Sequence, residues 1–529
     1  MGSFKEETRW LVILGFVFCF AMAMAMGAND VANAFGTSVG AGVVTLRQAV
    51  VLASVMNLLG ATLMSGAVTD TIRKGIVDLE RFSDDERDAA ELMLLMVCAM
   101  VGATGYVCAA TARRLPVSTT QAVLGGLVGA MVARDRGSGK GVRWYEPGVC
   151  SYARGTGRLS CGGVAGIVLQ WVFAPLISMV LATALFLVSK RVLLAAERDV
   201  ALRRAPPFMA FLLGGVAFAL AWFVIVQQQH HPHSRGWDPR DERDPTNRAT
   251  ALEVGACALI AVTASYGALT VFSLYPGALA YSPAGAATAY RRAGAAAALR
   301  DVEIELGPTA TGGGANPLRA RGGSEEDVDP GGAGDSPFDD DADDAAAAAV
   351  AAAGASYDPD VERAYGAAQV ASASLAAFAA GANDVANEVG PLAAIVQTWA
   401  DGGVESTART PRWLFAYAGA GIALGLGLFG TRVMRTIGRD ATKMTPARGF
   451  NIELGYSLAS LIASAEGWPV STTQLCVGAV VGVGLAAGEG AGGAVNGRLL
   501  LKIFASWVLT PLAAGAIAAL AFALLRGAL

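Results

Sequence analysis

Nine stretches of this chain run far enough without a charged side chain to cross a lipid bilayer: Trp10–Ala28, Gln48–Thr69, Leu92–Ala112, Leu115–Ala133, Leu159–Ser189, Ala205–Gln229, Trp413–Thr431, Gly467–Gly488 and Ile503–Leu525. A helix needs roughly 20 predominantly apolar residues to span. In lipid every backbone polar group must find its partner inside the protein, so such stretches become helices or line a cavity. Further runs at Val31–Leu46, Val254–Pro276, Ala364–Asn383, Val389–Ala400 and Leu454–Ala465 bring the expectation to about twelve helical elements. Composition agrees: 54% of residues are hydrophobic, 16% are charged and the mean hydropathy is +0.46, whereas soluble domains carry about 25% charged residues. The sequence therefore predicts an all-α, polytopic membrane protein. Trp10–Ala28 leads straight into a polar motif, so it is read as a retained helix and not as a cleaved signal.

That motif occurs twice. Gly-Ala-Asn-Asp-Val-Ala-Asn stands at Gly27–Asn33 and again at Gly381–Asn387; Pro-Val-Ser-Thr-Thr-Gln stands at Pro116–Gln121 and Pro469–Gln474. The two offsets, 354 and 353 residues, show the whole arrangement duplicated almost in register. Polar groups at membrane depth persist where they face a cavity or one another, which makes them a pathway by default. Paired interruptions in two halves are the sequence pointer to a transporter's central site. Dense glycine in Ala34–Gly42, and Pro391 after Gly390, predict helices that break within the membrane. A broken helix offers N–H groups to an anion at one end and carbonyls to a hard cation at the other. In the second motif, proline is expected in the first helical turn, with Ser118, Thr119, Thr120 and Gln121, and Ser471, Thr472, Thr473 and Gln474, clustered at the helix N-terminus. Hydroxyls, an amide and free N–H groups without a fixed positive charge can bind an oxyanion and still release it. A third repeat, Trp-Val-x-x-Pro at Trp171–Pro175 and Trp507–Pro511, reads as a proline kink.

The net charge of −4 hides one acidic cluster: Ser324–Asp344 holds ten carboxylates and no Lys or Arg. The Ala-, Gly- and Pro-rich stretch around it cannot bury enough apolar surface to fold. The expected organisation is a membrane repeat with additional helices over 1–280, a disordered linker over 281–360 and a second membrane repeat over 361–529. Cys19, Cys98, Cys108, Cys257 and Cys476 lie in apolar segments as packing material, while Cys150 and Cys161 flank a polar loop where pairing is open. All three histidines fall in His230–His233, so none sits in a spanning segment. No His, Cys or metal cluster accompanies the polar motifs, which argues against an enzyme.

Both copies of each motif, with Val43–Ala49 (Val-Val-Thr-Leu-Arg-Gln-Ala) and Gly449–Leu454 (Gly-Phe-Asn-Ile-Glu-Leu), resemble the PiT family of inorganic phosphate transporters. The resemblance runs from Trp10 to about Ser273 and from about Ala367 to Leu529. It implies sodium- or proton-coupled phosphate symport by two inverted repeats, with broken helices at the midplane, a long cytoplasmic loop and a plasma-membrane location. Phosphate would be held by Ser118, Thr119, Thr120, Gln121, Ser471, Thr472, Thr473 and Gln474 with Asp30 and Asp384. Ion coupling would use Asn29, Asp30, Asn33, Asn383, Asp384, Asn387 and Glu453, with sodium at Asn29, Asp30, Asn383 and Asp384. Partners are phosphate, sodium or protons, and lipid; no cofactor and no nucleic acid is expected, and a homo-oligomer is left open. Two departures stand out: Asn57 replaces a glutamate of many animal members, and Gln121 and Gln474 replace a histidine common after the hydroxyl triplet. The alternatives are a proton-coupled phosphate or sulfate carrier, and a phosphate sensor that scarcely transports.

Overall fold

The structure, a computed structural model, describes residues 2–29, 32–82, 85–113, 117–145, 151–153, 158–160, 163–226, 256–268, 357–404, 410–430, 444–487 and 497–529. Asp30, Pro116, Cys150, Cys161, the histidines and residues 281–356 of the expected linker lie outside these residues, as does the side chain of Asn33; the last four residues assigned to the linker, 357–360, instead lead into helix with Asp358 as its cap. The first half comprises α1 (Gly2–Glu7), α2 (Arg9–Asn29), α3 (Ala32–Gly40), α4 (Leu46–Met64), α5 (Gly66–Lys74), α6 (Glu86–Ala112), α7 (Thr119–Arg134), α8 (Gly163–Ser189), α9 (Arg198–Ala221) and α10 (Ala256–Ala268). The second comprises α11 (Pro359–Ala364), α12 (Gly366–Asp384), α13 (Ala386–Asp401), α14 (Arg412–Gly425), α15 (Pro446–Ala465), α16 (Thr472–Ala487) and α17 (Gly497–Leu525). A short antiparallel hairpin, Ser151–Ala153 with Arg158–Ser160, precedes α8.

Seven helical runs among the described residues are long and apolar enough to cross a membrane, against nine charge-free stretches in the sequence. The two that fall short carry the hydroxyl triplets: α7 and α16 have 16 residues each. Each gives up its first residues to non-helical backbone, with Ser118 capping α7 and Ser471 accepting from Gln474 N–H at 3.3 Å at the head of α16. Pro469 consequently precedes the helix instead of entering its first turn. The expected breaks also move. Pro391 lies inside α13, and the interruption falls at Val385, directly after Asp384. Pro391 still marks the helix locally, because without an N–H it removes the usual donor from the carbonyl of Asn387.

The middle of α6 is apolar and buried all round, every residue from Leu92 to Met100 being at most 1% exposed. The outer helices show apolar side chains where lipid would be, among them Val172, Phe173, Leu176 and Val180 on α8 and Val508, Leu509 and Leu512 on α17. Close crossings between helices are made at glycines, as expected where small residues must let backbones approach. A Cβ on Gly27 of α2 would strike the backbone of Ile422 on α14; a Cβ on Gly381 of α12 would strike that of Asn57 on α4. The neighbouring crossings repeat this, Gly425 meeting Met24 and Gly60 meeting Phe378. Farther along, Gly125 of α7 faces Pro511 of α17 and Gly478 of α16 faces Pro175 of α8. Each of these crossings from first half to second thus has a counterpart from second to first. The repeated tryptophan–proline string has a packing role: each proline lies within its helix and receives the other half's glycine.

Candidate functional site

The ends of α2 and α12 carry the first motif, and the heads of α7 and α16 carry the second. An asparagine ties one to the other in each half. Asn29 donates its amide to Thr111 Oγ1 at 3.0 Å and accepts from Val117 N–H at 3.0 Å. Asn383 donates to Ser464 Oγ at 3.1 Å and to the Trp468 carbonyl at 3.0 Å. Both are buried, at 0% and 1% exposed. These amides fix the height at which each hydroxyl triplet meets its motif, so their first task is positional.

The two triplets meet across the halves. Thr120 Oγ1 donates to the carbonyl of Val470 at 3.1 Å. Asn387 Nδ2 reaches Thr120 Oγ1 at 3.2 Å and Thr119 Oγ1 at 3.4 Å. On the other side Thr472 Oγ1 donates to Asp384 Oδ2 at 2.6 Å. Two half-helices, one carboxylate and hydroxyls from both triplets therefore converge in one buried cluster. Ser118, Thr119, Thr120, Gln121, Ser471, Thr472, Thr473 and Gln474 are all at most 4% exposed. Ser118 Oγ accepts from Gln121 N–H at 3.3 Å, as Ser471 Oγ does from Gln474, which leaves each serine proton available to an incoming acceptor. Buried beside them, the oxygens of Gln121, Asn383, Asn387 and Gln474 make no hydrogen bond among the described residues. The arrangement presents hydroxyl donors and helix N-termini to an anion and amide or carboxylate oxygens to a cation.

Glu453 is brought to a different place. Fully buried on α15, its carboxylate accepts from Ser38 Oγ at 2.6 Å, from Gln369 Nε2 at 3.4 Å, and from the hydroxyls of Thr37 and Ser372. Thr37 and Ser38 come from α3 and Gln369 and Ser372 from α12, so this ring too joins the halves. Sequence reasoning named Glu453 but not its four partners. The available signal was polar residues interrupting apolar runs, Thr37 and Ser38 within Ala34–Gly42 and Gln369 and Ser372 within Ala364–Asn383. Asn57, buried at 1%, has neither amide atom hydrogen-bonded among the described residues.

The comparisons with known proteins agree along the chain. The profile of the phosphate transporter family matches residues 26–518. A protein of Pyrococcus furiosus with the provisional name phosphate permease is 31% identical over 97% of this chain and 95% of its own length. The sodium-dependent phosphate transporter 1-A of Danio rerio is 28% identical over 98% of this chain and 95% of its own. A solved structure described as the sodium-dependent phosphate transporter superposes with a TM-score of 0.69 at 25% identity, covering 98% of this chain and all of that one. The family is one of transporters and not of enzymes, and with seven helical runs long and apolar enough to span among the described residues, and two facing polar motifs, this chain is a multi-pass membrane protein of the phosphate transporter family.

Proposed function

We propose that the protein is a sodium-coupled inorganic phosphate symporter of the plasma membrane, working by alternating access between two inverted repeats. The observation that carries this reading is the meeting of the two hydroxyl triplets with Asp384 and Asn387 across the halves, Thr120 lying 3.1 Å from the Val470 carbonyl. Phosphate takes the hydroxyl protons of Ser118–Thr120 and Ser471–Thr473 and the N-termini of α7 and α16. Asp384, with Asp30 as its counterpart in the duplicated motif, accepts the hydrogen bond of a protonated phosphate oxygen and supplies charge to sodium. Asn33 is assigned with Asn387 by the same duplication. Asn29 and Asn383 hold the motifs together, with Asn383 Oδ1 left to face an ion. Glu453, in its ring of Thr37, Ser38, Gln369 and Ser372, forms a second ion site bridging the repeats, and the buried oxygen of Gln369, which makes no hydrogen bond among the described residues, suits a cation there.

The energetics follow from charge. With two sodium ions per monovalent phosphate, one net positive charge enters per cycle, worth about 2.3 kcal/mol at 100 mV, or roughly fifty-fold accumulation. Radiolabelled phosphate uptake into proteoliposomes, with sodium and proton gradients imposed separately, tests the reading. Uptake driven by sodium and accelerated by an inside-negative potential is expected. Equal uptake in choline, responding only to pH, overturns it.

A further inference from the structure

The chain contains an internal reference for a Ser/Thr-x-x-Gln helix start. At the head of α4, Gln48 N–H donates to Thr45 Oγ1 at 3.3 Å and Thr45 N–H donates to Gln48 Oε1 at 3.1 Å, a capping box closed in both directions. The same signature recurs at Ser118–Gln121 and Ser471–Gln474 and closes in one direction only. Gln121 and Gln474 each donate their N–H to the serine at 3.3 Å, yet among the described residues neither Oε1 accepts a hydrogen bond. The residues are 2% and 3% exposed, so both oxygens are shut away from bulk solvent. A buried acceptor without a donor is costly. Both open boxes stand at equivalent places in the two halves, beside the anion-accepting helix starts.

An amide oxygen in that position repels phosphate oxygens and attracts a hard cation. Asn387 Oδ1, next to Thr119 and Thr120, is an acceptor without a donor in the same cluster. We propose that Gln121 and Gln474 are sodium ligands through Oε1, each completing the coordination of an ion beside the bound phosphate, and that neither serves as a phosphate donor. This rests on the sodium-coupled reading above. It gives the residue after each triplet a definite part in coupling: an uncharged ligand that holds sodium without titrating.

The test is equilibrium binding of radiolabelled sodium and of inorganic phosphate to the purified full-length protein. Gln121→Leu and Gln474→Leu are each expected to raise half-saturating sodium about tenfold or more while leaving phosphate affinity at saturating sodium within about twofold of wild type. Gln121→Glu and Gln474→Glu are expected to bind sodium at least as tightly and phosphate more weakly, because they add negative charge beside the anion. Leu variants that bind sodium as the wild type does and lose phosphate affinity at saturating sodium would overturn the assignment. If the Leu variants do not fold, the Glu pair decides: weakened sodium binding there overturns it as well. A wild type that binds no sodium at all sinks the coupling reading itself, whereas sodium binding untouched by every variant sinks only the glutamine assignment.

Discussion

At the scale of single residues the site separates holding from binding. Asn29 and Asn383 spend their amide protons on Thr111, Ser464 and the Trp468 carbonyl, so they set geometry. Asn383→Ala should leave a buried hydroxyl and a carbonyl without their donor and cost about 1–3 kcal/mol of stability, visible as a lowered melting temperature of purified protein. Under the proposed function Asp384 is different, because its role there depends on charge. Asp384→Asn keeps the size, and the expected outcome is a folded protein without phosphate uptake. Substrate choice follows from the same carboxylate. Near neutral pH phosphate still carries a proton that Asp384 can accept in a hydrogen bond, whereas sulfate offers none and meets a bare like charge. A site built around such a contact can discriminate by about 10⁴-fold. Arsenate, also protonated, should therefore compete with phosphate in equilibrium binding, and sulfate should not; a wild type binding sulfate as well as phosphate would refute this use of the proton. The residues of this cluster were legible in the sequence because they came as duplicated strings. The ring around Glu453 was not, since Thr37, Ser38, Gln369 and Ser372 repeat nowhere and converge only when α3 and α12 pack on α15.

Among the elements, the sequence located helices well and their ends poorly. Charge-free length anticipated the long helices, but α7 and α16 came out at 16 residues because hydropathy does not distinguish the non-helical lead-ins at Val117–Ser118 and Pro469–Ser471 from helix. Pro391 misled for a related reason. A membrane helix tolerates proline when neighbouring helices support it, so the interruption could sit instead at Val385, next to the carboxylate. The glycine crossings allow a direct check. A Cβ on Gly125 would collide with backbone atoms of Pro511, while one on Gly105 of α6 meets nothing within 4 Å. Gly125→Ala should force α7 and α17 apart and destabilise the protein by about 1–3 kcal/mol. Gly105→Ala should be neutral or stabilising by up to about 1 kcal/mol, since alanine is the better helix former. Thermal unfolding of the two variants side by side distinguishes tight packing from a general intolerance of glycine replacement.

For the whole molecule, duplication was readable, but the manner in which the copies combine was not. An offset of about 354 residues says that two units exist; it does not say that α7 belongs against α17 and α16 against α8. Those pairings arise from tertiary packing of small-residue faces that carry no distinctive local pattern. Whereas Asp358 caps α11 and both it and Asp360 pair with Arg198, the stretch over 281–356 has a tethering role in this reading, because the site's contacts come from packed helices on both sides. Shortening it should leave phosphate uptake largely intact, measured as initial rate per transporter at the cell surface. Loss of uptake at normal surface expression would favour the sensing function instead.

The reciprocal glycine crossings carry one more consequence. The partner that Gly27 needs at Ile422 has its twin in the partner that Gly381 needs at Asn57, so each half presents both a groove and the ridge that fits its relative's groove. An isolated half is consequently close to self-complementary. Two copies of one half could settle against each other in nearly the arrangement that the two unlike halves adopt in the intact chain. Because the proposed repeats are inverted, two copies of one half reach that arrangement only when they insert in opposite orientations across the bilayer, which a single chain carrying both unlike halves achieves by construction.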